Sequence, residues 1–255
     1  DKKLIVNAEN GFKKIEANRV KKTIIVNGDD KYVDFFLSFW AEEKFVYTNG
    51  NKLKIKLAND KTHIVKYSDV KSNQNGVSFK VEEKEIKLNL LGEYNAANAI
   101  NAVCLGLSHE IKLEKIKVGL EKIKGVPGRM ELIKSAAPAF TVIVDYAFEP
   151  EALKKIYNTI LKLEHSKIIH VLGSAGGGRD VARRPKLGAL AGGNADVVII
   201  TNEDPYDDDP KLIIDQVASG AENAGKMETE NLFKVEDRRE AIKKALTLAR
   251  ENDVV

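Results

Sequence analysis

The sequence predicts an α/β protein in two parts: a mixed sheet with helices, followed by a mostly parallel sheet with helices. Two observations support this prediction. In residues 141–255, apolar runs of strand length alternate with longer segments of helical periodicity. In the first 135 residues, several strand-like segments follow one another and alternate only partly between apolar and polar residues. We therefore expect a division into residues 1–135 and 136–255.

The first part contains strand-like and helical segments in an irregular order. The predicted strands are 21–30, 45–50, 52–57, 63–70 and 77–90. The last of these has a polar midpoint at residues 82–84, which predicts a hairpin turn. The predicted helices are 32–43, 93–109 and 113–123. Turn residues concentrate in "KGVPGRME" (124–131), just before the expected boundary near 134–139.

The second part alternates regularly between the two element types. The predicted strands are 141–147, 167–173, 196–201 and 231–235, and the predicted helices are 150–165, 184–195, 210–225 and 237–252. These strands are almost continuously apolar, as is typical of a parallel sheet covered on both faces. Pro150 fits the first turn of its helix. The final "ENDVV" has the pattern of a strand that begins there.

Composition narrows the class of protein. Of the 255 residues, 43% are apolar and 31% are charged, and the formal net charge is only +3. Acidic and basic residues are interleaved, so no basic stripe indicates nucleic-acid binding. No apolar stretch approaches the roughly 20 residues of a membrane span. The single cysteine, Cys104, lies in an apolar run and is expected to be buried, which is compatible with a cytoplasmic protein.

A glycine-rich segment, "GSAGGGRDVARRP" (173–185), follows a predicted strand and precedes a predicted helix. It matches neither the dinucleotide fingerprint, because position 175 is Ala, nor a phosphate-binding P-loop, because no Lys-Ser/Thr pair follows the glycines. Arg179, Arg183 and Arg184 crowd the start of the helix, where cations oppose the helix dipole. These arginines therefore indicate an anionic partner, although a tight turn before a solvated basic helix is the alternative.

An acidic segment, "TNEDPYDDDP" (201–210), ends the next strand at the same predicted sheet edge. Its carboxylates could bind a metal ion or an ammonium group, or the segment could be a loop with a helix cap before Pro210. We expect Arg179 and the carboxylates of 203–209 to face each other across a cleft. A cleft with one basic and one acidic wall would suit a free amino acid or a diamino acid.

Four further residues are candidates for binding polar groups. Asp145 ends a strand at the same sheet edge and could accept hydrogen bonds from a sugar or cap the following helix. Asn95 and Asn98 lie on one face of a helix and could contact a purine edge or form a polar stripe. Arg129 lies in a loop beside Pro127 and Gly128. The four histidines are dispersed without metal-ligand spacing.

Taken in order, these segments resemble the Mur ligase family, most closely its UDP-N-acetylmuramoyl-tripeptide synthetases. The matching segments are "LLGEYNAANAINA", "GVPGRME", "VDYAFEPEAL", "GSAGGGRDVARRPKLGALA", "TNEDPYDDDP" and "EDRREAIKKAL". They span residues 90–246, and "VNGDD" (26–30) resembles part of the family's central domain. The resemblance implies that 1–135 is the remainder of a central ATP-binding domain and that 136–255 is a Rossmann-like C-terminal domain.

The resemblance also implies an activity. It predicts an ATP-dependent, Mg²⁺-requiring amide ligase that adds an amino acid to a UDP-N-acetylmuramoyl peptide through an acyl phosphate. The residues that match family positions are Asn95 and Asn98 near adenine, Arg129 and Asp145 near ribose, Arg179 at the amino-acid carboxylate, Glu203, Asp204 and Tyr206 in the amino-acid selection motif, and Arg183 near the substrates. Expected partners are these small molecules only, in the cytoplasm, with no nucleic acid and no membrane.

The sequence departs from the family pattern at two positions and in its extent. Phe148 stands where a histidine is usual, and Tyr206 stands where the enzymes for meso-diaminopimelate carry an arginine, which makes lysine or another amino acid compatible. The family's P-loop, metal-binding residues and UDP-binding domain would lie upstream of residue 1. We therefore expect no catalytic residue and no metal ligand in these 255 residues, and no ligation by them alone.

Two alternatives remain open. The chain could be a non-catalytic module that binds an amino acid or a nucleotide and acts through a partner. It could also belong to another ligase of the same superfamily, of the folylpolyglutamate or cyanophycin synthetase type. The combination of "VPGRME", "DYA" and the glycine-rich segment favours the muropeptide branch.

Overall fold

A computed structural model describes residues 21–50, 55, 61–133 and 139–255. The chain divides into two compact units: the first comprises Asp1–Asn89 with Glu93–Lys124, and the second comprises Leu90–Gly92 with Gly125–Val255. The strand predicted over 52–57 lies, apart from Ile55, outside the described residues. Within the described ranges, no helix is both long and apolar enough to cross a membrane.

In the residues that the structure describes, the first unit is built on a mixed five-stranded sheet in the order β1 to β5. Its strands are β1 Thr23–Asn27, β2 Glu43–Thr48, β3 Thr62–Asn73, β4 Gly76–Val81 and β5 Lys84–Leu88. The first three strands pair in parallel, and the last three pair antiparallel. The predicted hairpin between β4 and β5 is confirmed, and its turn includes Glu82 at φ 53°.

Three helices accompany this sheet in the described part of the first unit: α1 Val33–Leu37, α2 Tyr94–Ser108 and α3 Leu113–Glu121. The prediction of one helix over 32–43 is wrong in length. The helix stops after Leu37, where the Ser38 hydroxyl donates to the Phe35 carbonyl, and the chain enters β2 at Glu43. On α2, Cys104 is fully buried as predicted, and burial raises the pKa of its thiol to about 12.

The second unit contains a parallel three-stranded sheet and an antiparallel pair. The strands are β6 Glu131–Ile133, β7 Val142–Val144, β8 Ile169–Leu172, β9 Val197–Ile200 and β10 Leu232–Lys234. The parallel sheet has the order β10-β9-β8, and β6 pairs with β7. Because β6 belongs to this unit, the units divide between Lys124 and Gly125, earlier than the boundary predicted after residue 135.

The last residues of the chain pair with strands of both sheets. The pattern of "ENDVV" predicted a strand but not this position. Val254 bridges Thr141 on one side and Ile168 on the other, both in parallel. Its N–H donates to the Lys167 carbonyl at 2.8 Å, and its carbonyl accepts from the Ile169 N–H at 2.8 Å. Residues 253–255 therefore lie between β7 and β8.

Four helices flank these strands: α4 Pro150–Ile160, α5 Arg183–Asn194, α6 Pro210–Asn223 and α7 Arg238–Leu248. Pro150 and Pro210 lie in the first turns, as predicted for Pro150. The predicted ends of α4 and α7 are too late, because the chain turns at residues 161–163 and later enters the strand position at Val254.

The α5 and α6 helices pack closely through glycines. A methyl group on Gly188 would lie 1.8 Å from the Val217 carbonyl oxygen, and one on Gly220 would lie 1.9 Å from the Pro185 carbonyl oxygen. No residue larger than glycine fits at either position. The distance between these helices is therefore set by direct backbone contacts. These contacts also fix the start of α5 relative to the loop that precedes α6.

Candidate functional site

Two loops of the second unit meet at the carboxyl edge of the parallel sheet. The glycine loop, residues 173–178, follows β8, and the acidic loop, residues 201–209, follows β9. Because β8 and β9 are parallel neighbours, their carboxyl ends lie at the same edge. The Gly176 N–H donates to the Asp204 carbonyl at 3.0 Å, so the two loops are in direct contact.

Glycine is required on one side of this contact. A Cβ on Gly176 would lie 2.2 Å from the Pro205 carbonyl oxygen, and a Cβ on Gly177 would lie 2.7 Å from the Tyr206 ring. Gly177 also has φ +63°, a conformation that disfavours other residues. The glycines that suggested a ligand-binding loop in the sequence thus allow the acidic loop to approach closely.

The acidic loop has an unusual backbone and a conventional helix cap. Asp204 and Tyr206 have φ 35° and φ 50°, conformations that cost non-glycine residues about 1–3 kcal/mol each. Asp209 accepts a hydrogen bond from the Lys211 N–H at 2.9 Å and is the N-cap of α6. The predicted cap before Pro210 is therefore confirmed, and the Asp209 carboxylate already has a structural partner.

Arg184 joins the two loops from the first turn of α5. Its guanidinium, which is buried, donates to Asp208 Oδ2 at 2.7 Å and to Gln216 Oε1 at 2.7 Å. A longer contact of 3.5 Å reaches the Ala175 carbonyl. The sequence predicts an anionic partner for the three arginines, and for Arg184 that partner is Asp208 of the same chain.

Arg183 is also buried and engages the start of α4. It donates to Glu149 Oε1 at 2.9 Å, and its guanidinium lies 5.6 Å from the centre of the Phe148 ring. Phe148 replaces the histidine of the family pattern, and here it covers a cation with its aromatic face. The role of Arg183 near the substrates stays a prediction, since both of these contacts are internal to the protein.

The exposed residues at this sheet edge include charges of both signs, and the cleft expected between Arg179 and the carboxylates stays a prediction. Arg179, Asp204, Tyr206 and Asp207 are exposed, and Glu203 is half-buried against Gly173. Arg179 follows directly on the glycine loop, and its N–H donates to the Gly176 carbonyl at 3.4 Å. Within the described ranges, no three His, Cys, Asp or Glu side chains are placed to hold a metal ion. The arrangement can offer a guanidinium and carboxylates to a polar ligand.

Asp145 fixes the loop that contains Arg129. Its Oδ2 accepts from the Met130 N–H at 2.7 Å, and the Tyr146 N–H donates to the Gly128 carbonyl at 3.0 Å. The interpretation of Asp145 as a helix cap is wrong, because the N-cap of α4 is Glu149. The Arg129 guanidinium lies 5.1 Å from the centre of the Tyr146 ring, on the exposed side of this loop.

Asn95 and Asn98 belong to the first unit. Both lie in the first turns of α2, and the Asn98 side-chain amide donates to Asn95 Oδ1 at 2.9 Å. This bond fixes the orientation of both side chains, with Asn98 exposed and Asn95 half-buried. The polar stripe predicted on this helix is present, and a contact with adenine stays a prediction.

A histidine that the sequence left unassigned is part of a polar pair. His170 on β8 lies with Nδ1 2.7 Å from the Tyr157 hydroxyl on α4. Burial lowers the pKa of His170 to about 4, and burial also raises the pKa of Tyr157. The imidazole is therefore neutral near pH 7, and the pair is a packing feature between strand and helix.

The partners of the buried arginines were not identified from the sequence. Asp208 and Gln216 lie 24 and 32 residues from Arg184, on another loop and another helix. The available signal was electrostatic: cations at a helix start oppose its dipole and require compensation. That signal indicates an anion without indicating whether the anion belongs to a ligand or to the chain.

Comparisons with known proteins show the family and the fold of this chain. Residues 128–255 match the family described as Mur ligase, glutamate ligase domain, and residues 7–106 match the Mur ligase middle domain. The crystal structure of MurF from Acinetobacter baumannii has a TM-score of 0.67 at 18% identity, covering 92% of this chain and 48% of that one. The predicted fold class, a mixed sheet followed by a mostly parallel one, is confirmed.

Two curated relatives cover most of this chain. The UDP-N-acetylmuramyl-tripeptide synthetase of Roseiflexus sp. (strain RS-1) is 36% identical over 241 residues, which are 92% of this chain and 45% of that protein. The UDP-N-acetylmuramoyl-L-alanyl-D-glutamate--2,6-diaminopimelate ligase of Clostridium tetani (strain Massachusetts / E88) is 34% identical over 241 residues, 91% and 45% respectively. The chain spans about half the length of these relatives. With both domain descriptions matched, the chain belongs to the Mur ligase family.

Proposed function

We propose that the whole protein is an ATP-dependent amide ligase that adds an amino acid, a diamino acid in our proposal, to a UDP-N-acetylmuramoyl-dipeptide in peptidoglycan synthesis. The observation that carries the proposal is the direct contact between the glycine loop and the acidic loop, in which the Gly176 N–H donates to the Asp204 carbonyl. The contact places Arg179 and exposed carboxylates on neighbouring loops at one edge of a parallel sheet, where ligands of such sheets commonly bind.

The amino acid is proposed to bind through its two charged ends. Arg179 can donate two parallel hydrogen bonds to a carboxylate, and it has no ion-pair partner among the described residues. Glu203, Asp204 and Tyr206 line the adjacent loop and can accept from, or pack against, a distal ammonium group. Since Asp208 and Asp209 have internal partners, the first three are the residues we assign to selection.

Asn95, Asn98, Arg129 and Asp145 are the residues that we propose for nucleotide binding. Asn98 keeps its own amide oxygen available after donating to Asn95, which suits a purine edge. Asp145 uses one carboxylate oxygen for Met130, and Arg129 presents an exposed guanidinium, which suits a ribose and a phosphate. ATP supplies the phosphoryl group that activates the carboxyl substrate. The described residues offer no cluster of metal ligands, so we assign no Mg²⁺ ligand to them.

Charge positioning is the catalytic contribution that this chain can make. An amide ligase must hold a negatively charged carboxylate and an amine together while further negative charge develops. The Arg179 guanidinium would hold the incoming amino acid by its carboxylate, and the acidic loop would orient its far end. We propose that these partners are small molecules and that the reaction takes place in the cytoplasm.

The test uses the complete product of the open reading frame that contains this sequence. It is incubated with ATP, Mg²⁺, UDP-N-acetylmuramoyl-L-alanyl-D-glutamate and either L-lysine or meso-diaminopimelate, and products are identified by mass spectrometry. We expect a tripeptide product with one amino acid and equimolar release of ADP. The isolated 255 residues are expected to give no product.

The Arg179→Ala variant should raise the KM for the amino acid by about 100-fold, because a bidentate charge-assisted contact is worth several kcal/mol. The matched control is Lys186→Ala, an exposed cation on α5 that should leave the KM unchanged. Ligation of glutamate to a folate substrate, or ATP turnover without any muropeptide product, would contradict the proposal in favour of another ligase branch. Binding of an amino acid without any turnover by the complete protein would favour the binding module.

A further inference from the structure

Arg184 has an unusual position for a cation in the second unit. Its side chain is 3% exposed, and the guanidinium group contacts three different segments of the chain. The Arg184 Nε is buried without a hydrogen-bond partner among the described residues, so the terminal nitrogens make all of the contacts. Removing the partners of a buried charge is strongly destabilising. The three contacts are therefore a condition for the folded arrangement around the sheet edge.

The three partners belong to two loops and a helix at the sheet edge. The Ala175 carbonyl lies in the glycine loop, Asp208 lies in the acidic loop, and Gln216 lies on α6, which follows the acidic loop. The guanidinium is planar and rigid, so its donors hold these partners in one geometry. A single side chain thus links both loops to α6.

The Asp208 side chain is held from a second direction. A Cβ added to Gly176 would lie 2.9 Å from Asp208 Cβ and 2.9 Å from Asp208 Oδ2, so this carboxylate packs directly on the glycine loop. The Asp208 N–H also donates to the Pro205 carbonyl at 3.0 Å, which closes the acidic loop upon itself. Moving Asp208 would therefore move the segment that carries Asp204 and Tyr206.

We infer that Arg184 is a positioning residue: it holds the glycine loop and the acidic loop at the separation that the amino-acid substrate requires. The substrate role of these loops rests on the function proposed above, whereas the link between the loops rests on the contacts alone. Arg184 does not touch the substrate in this inference. It acts through Asp208 and Ala175 on the placement of Arg179, Asp204 and Tyr206.

The first experiment measures amide hydrogen exchange in the 255-residue chain by mass spectrometry. In Arg184→Met, which keeps a long apolar side chain and removes the donors, peptides covering 173–179 and 203–209 should exchange at least tenfold faster than in the wild type. Peptides of α7 should not change. The control is Lys186→Met on the same helix, which should leave both loops as in the wild type. Unchanged exchange in both loops of Arg184→Met would overturn the inference.

A second variant covers the case in which Arg184→Met does not fold. Asp208→Asn preserves the shape of the partner and removes its charge, so the buried guanidinium keeps a weaker acceptor. Faster exchange in the glycine loop of this variant would support the inference, because the substitution itself lies in the other loop. Exchange confined to 203–209 would overturn it.

The third experiment separates positioning from general stability in the complete ligase. We expect Arg184→Lys to raise the KM for the amino acid about tenfold, because lysine keeps the positive charge but lacks the several donors of the planar guanidinium. The KM for ATP should stay within twofold of the wild type. A fall in kcat with both KM values unchanged would overturn the inference. If the wild type shows no ligation, the proposed function fails, and the exchange experiments still decide whether Arg184 couples the loops.

Discussion

Arg183 and Arg184 are neighbours in the sequence, and their guanidinium groups are buried against different carboxylates. Glu149 lies 34 residues before Arg183, and Asp208 lies 24 residues after Arg184. The sequence could show that three cations crowd one helix start, because this follows from local order and the helix dipole. It could not show which cations are satisfied internally, because the partners depend on how distant loops meet. Only Arg179 of the three remains exposed.

The same distinction applies to the acidic loop. From the sequence, its carboxylates were equivalent candidates for binding a ligand. In the structure, Asp209 caps α6 and Asp208 pairs with Arg184, whereas Asp204 and Asp207 are exposed. The cap could be predicted because it depends on the residue directly before Pro210. The ion pair could not, because it depends on how the start of α5 meets the acidic loop in the folded unit.

The His170–Tyr157 pair makes the stability of the second unit depend on pH. The folded pKa of His170 is lowered to about 4, whereas an unfolded histidine titrates near 6.5. Below pH 6.5 the unfolded chain therefore binds a proton that the folded chain does not. The neutral His170 contributes its full stabilisation above pH 6.5, and this contribution is lost progressively as the pH falls toward 4. At pH 4.5 the free energy of unfolding should be lower by about 2–3 kcal/mol.

Urea unfolding followed by circular dichroism at pH 7.5 and pH 4.5 checks this prediction. Between the two pH values, the free energy of unfolding of the wild type should fall by about 2–3 kcal/mol more than that of His170→Gln. The control, His109→Gln, replaces an exposed histidine at the end of α2 and should behave as the wild type. Parallel losses in the wild type and His170→Gln would show that burial does not perturb His170.

At the scale of elements, short-range signals were reliable and element lengths were not. The β4–β5 hairpin and the proline-initiated α4 follow from a few adjacent residues, and both are present. The helix predicted over 32–43 shrinks to Val33–Leu37, because the chain turns at Ser38 and has no regular secondary structure until β2 begins at Glu43.

The contact between α5 and α6 gives a matched pair of glycines on one helix. A methyl group on Gly188 would lie 1.8 Å from the Val217 carbonyl oxygen, whereas Gly193 has no atom within 4 Å of the equivalent position. We expect Gly188→Ala to destabilise the second unit by about 1–3 kcal/mol through overpacking. Gly193→Ala should stabilise it by up to about 1 kcal/mol, because alanine has the lower entropic cost in a helix.

Thermal unfolding of the two variants beside the wild type measures this difference. The prediction concerns opposite signs for the same chemical change, so errors common to both measurements cancel. Equal shifts for Gly188→Ala and Gly193→Ala would show that the helices can separate without cost. In that case the position of Arg184 at the start of α5 would not be fixed by helix packing.

At the scale of the whole molecule, two compact units were expected from the sequence and are present. The alternation of apolar strands and amphipathic helices predicted the second unit, because each element there must bury one face. The final strand segment was also indicated by its apolar character. Its position between β7 and β8 was not predictable, since strand order is a property of the folded sheet.

Val254 is the residue on which the continuity of the second unit depends. Val254→Pro removes the N–H that donates to Lys167 and leaves the carbonyl of Lys167 without its partner. We expect the unsatisfied carbonyl alone to lower the free energy of unfolding by about 1–3 kcal/mol. The amides of Ile143 and Ile169, which donate to Val255 and Val254, should exchange faster with solvent.

Val254→Ala is the control, because it shortens the side chain and keeps every backbone hydrogen bond. Amide exchange followed by nuclear magnetic resonance distinguishes the two variants at Ile143 and Ile169. In the proline variant both amides should exchange faster with solvent, and in the alanine variant both should stay protected from exchange. The same exchange rates in both variants would mean that the segment contributes through its side chain only.

The burial of Cys104 has a practical consequence for any such measurement. It is the single thiol in 255 residues, it is fully buried on α2, and its pKa of about 12 keeps it protonated at neutral pH. A thiol-reactive dye is therefore excluded until the first unit opens. The chain carries its own single-site label for the unfolding of that unit, and no engineered cysteine is needed to follow it while the second unit is probed separately.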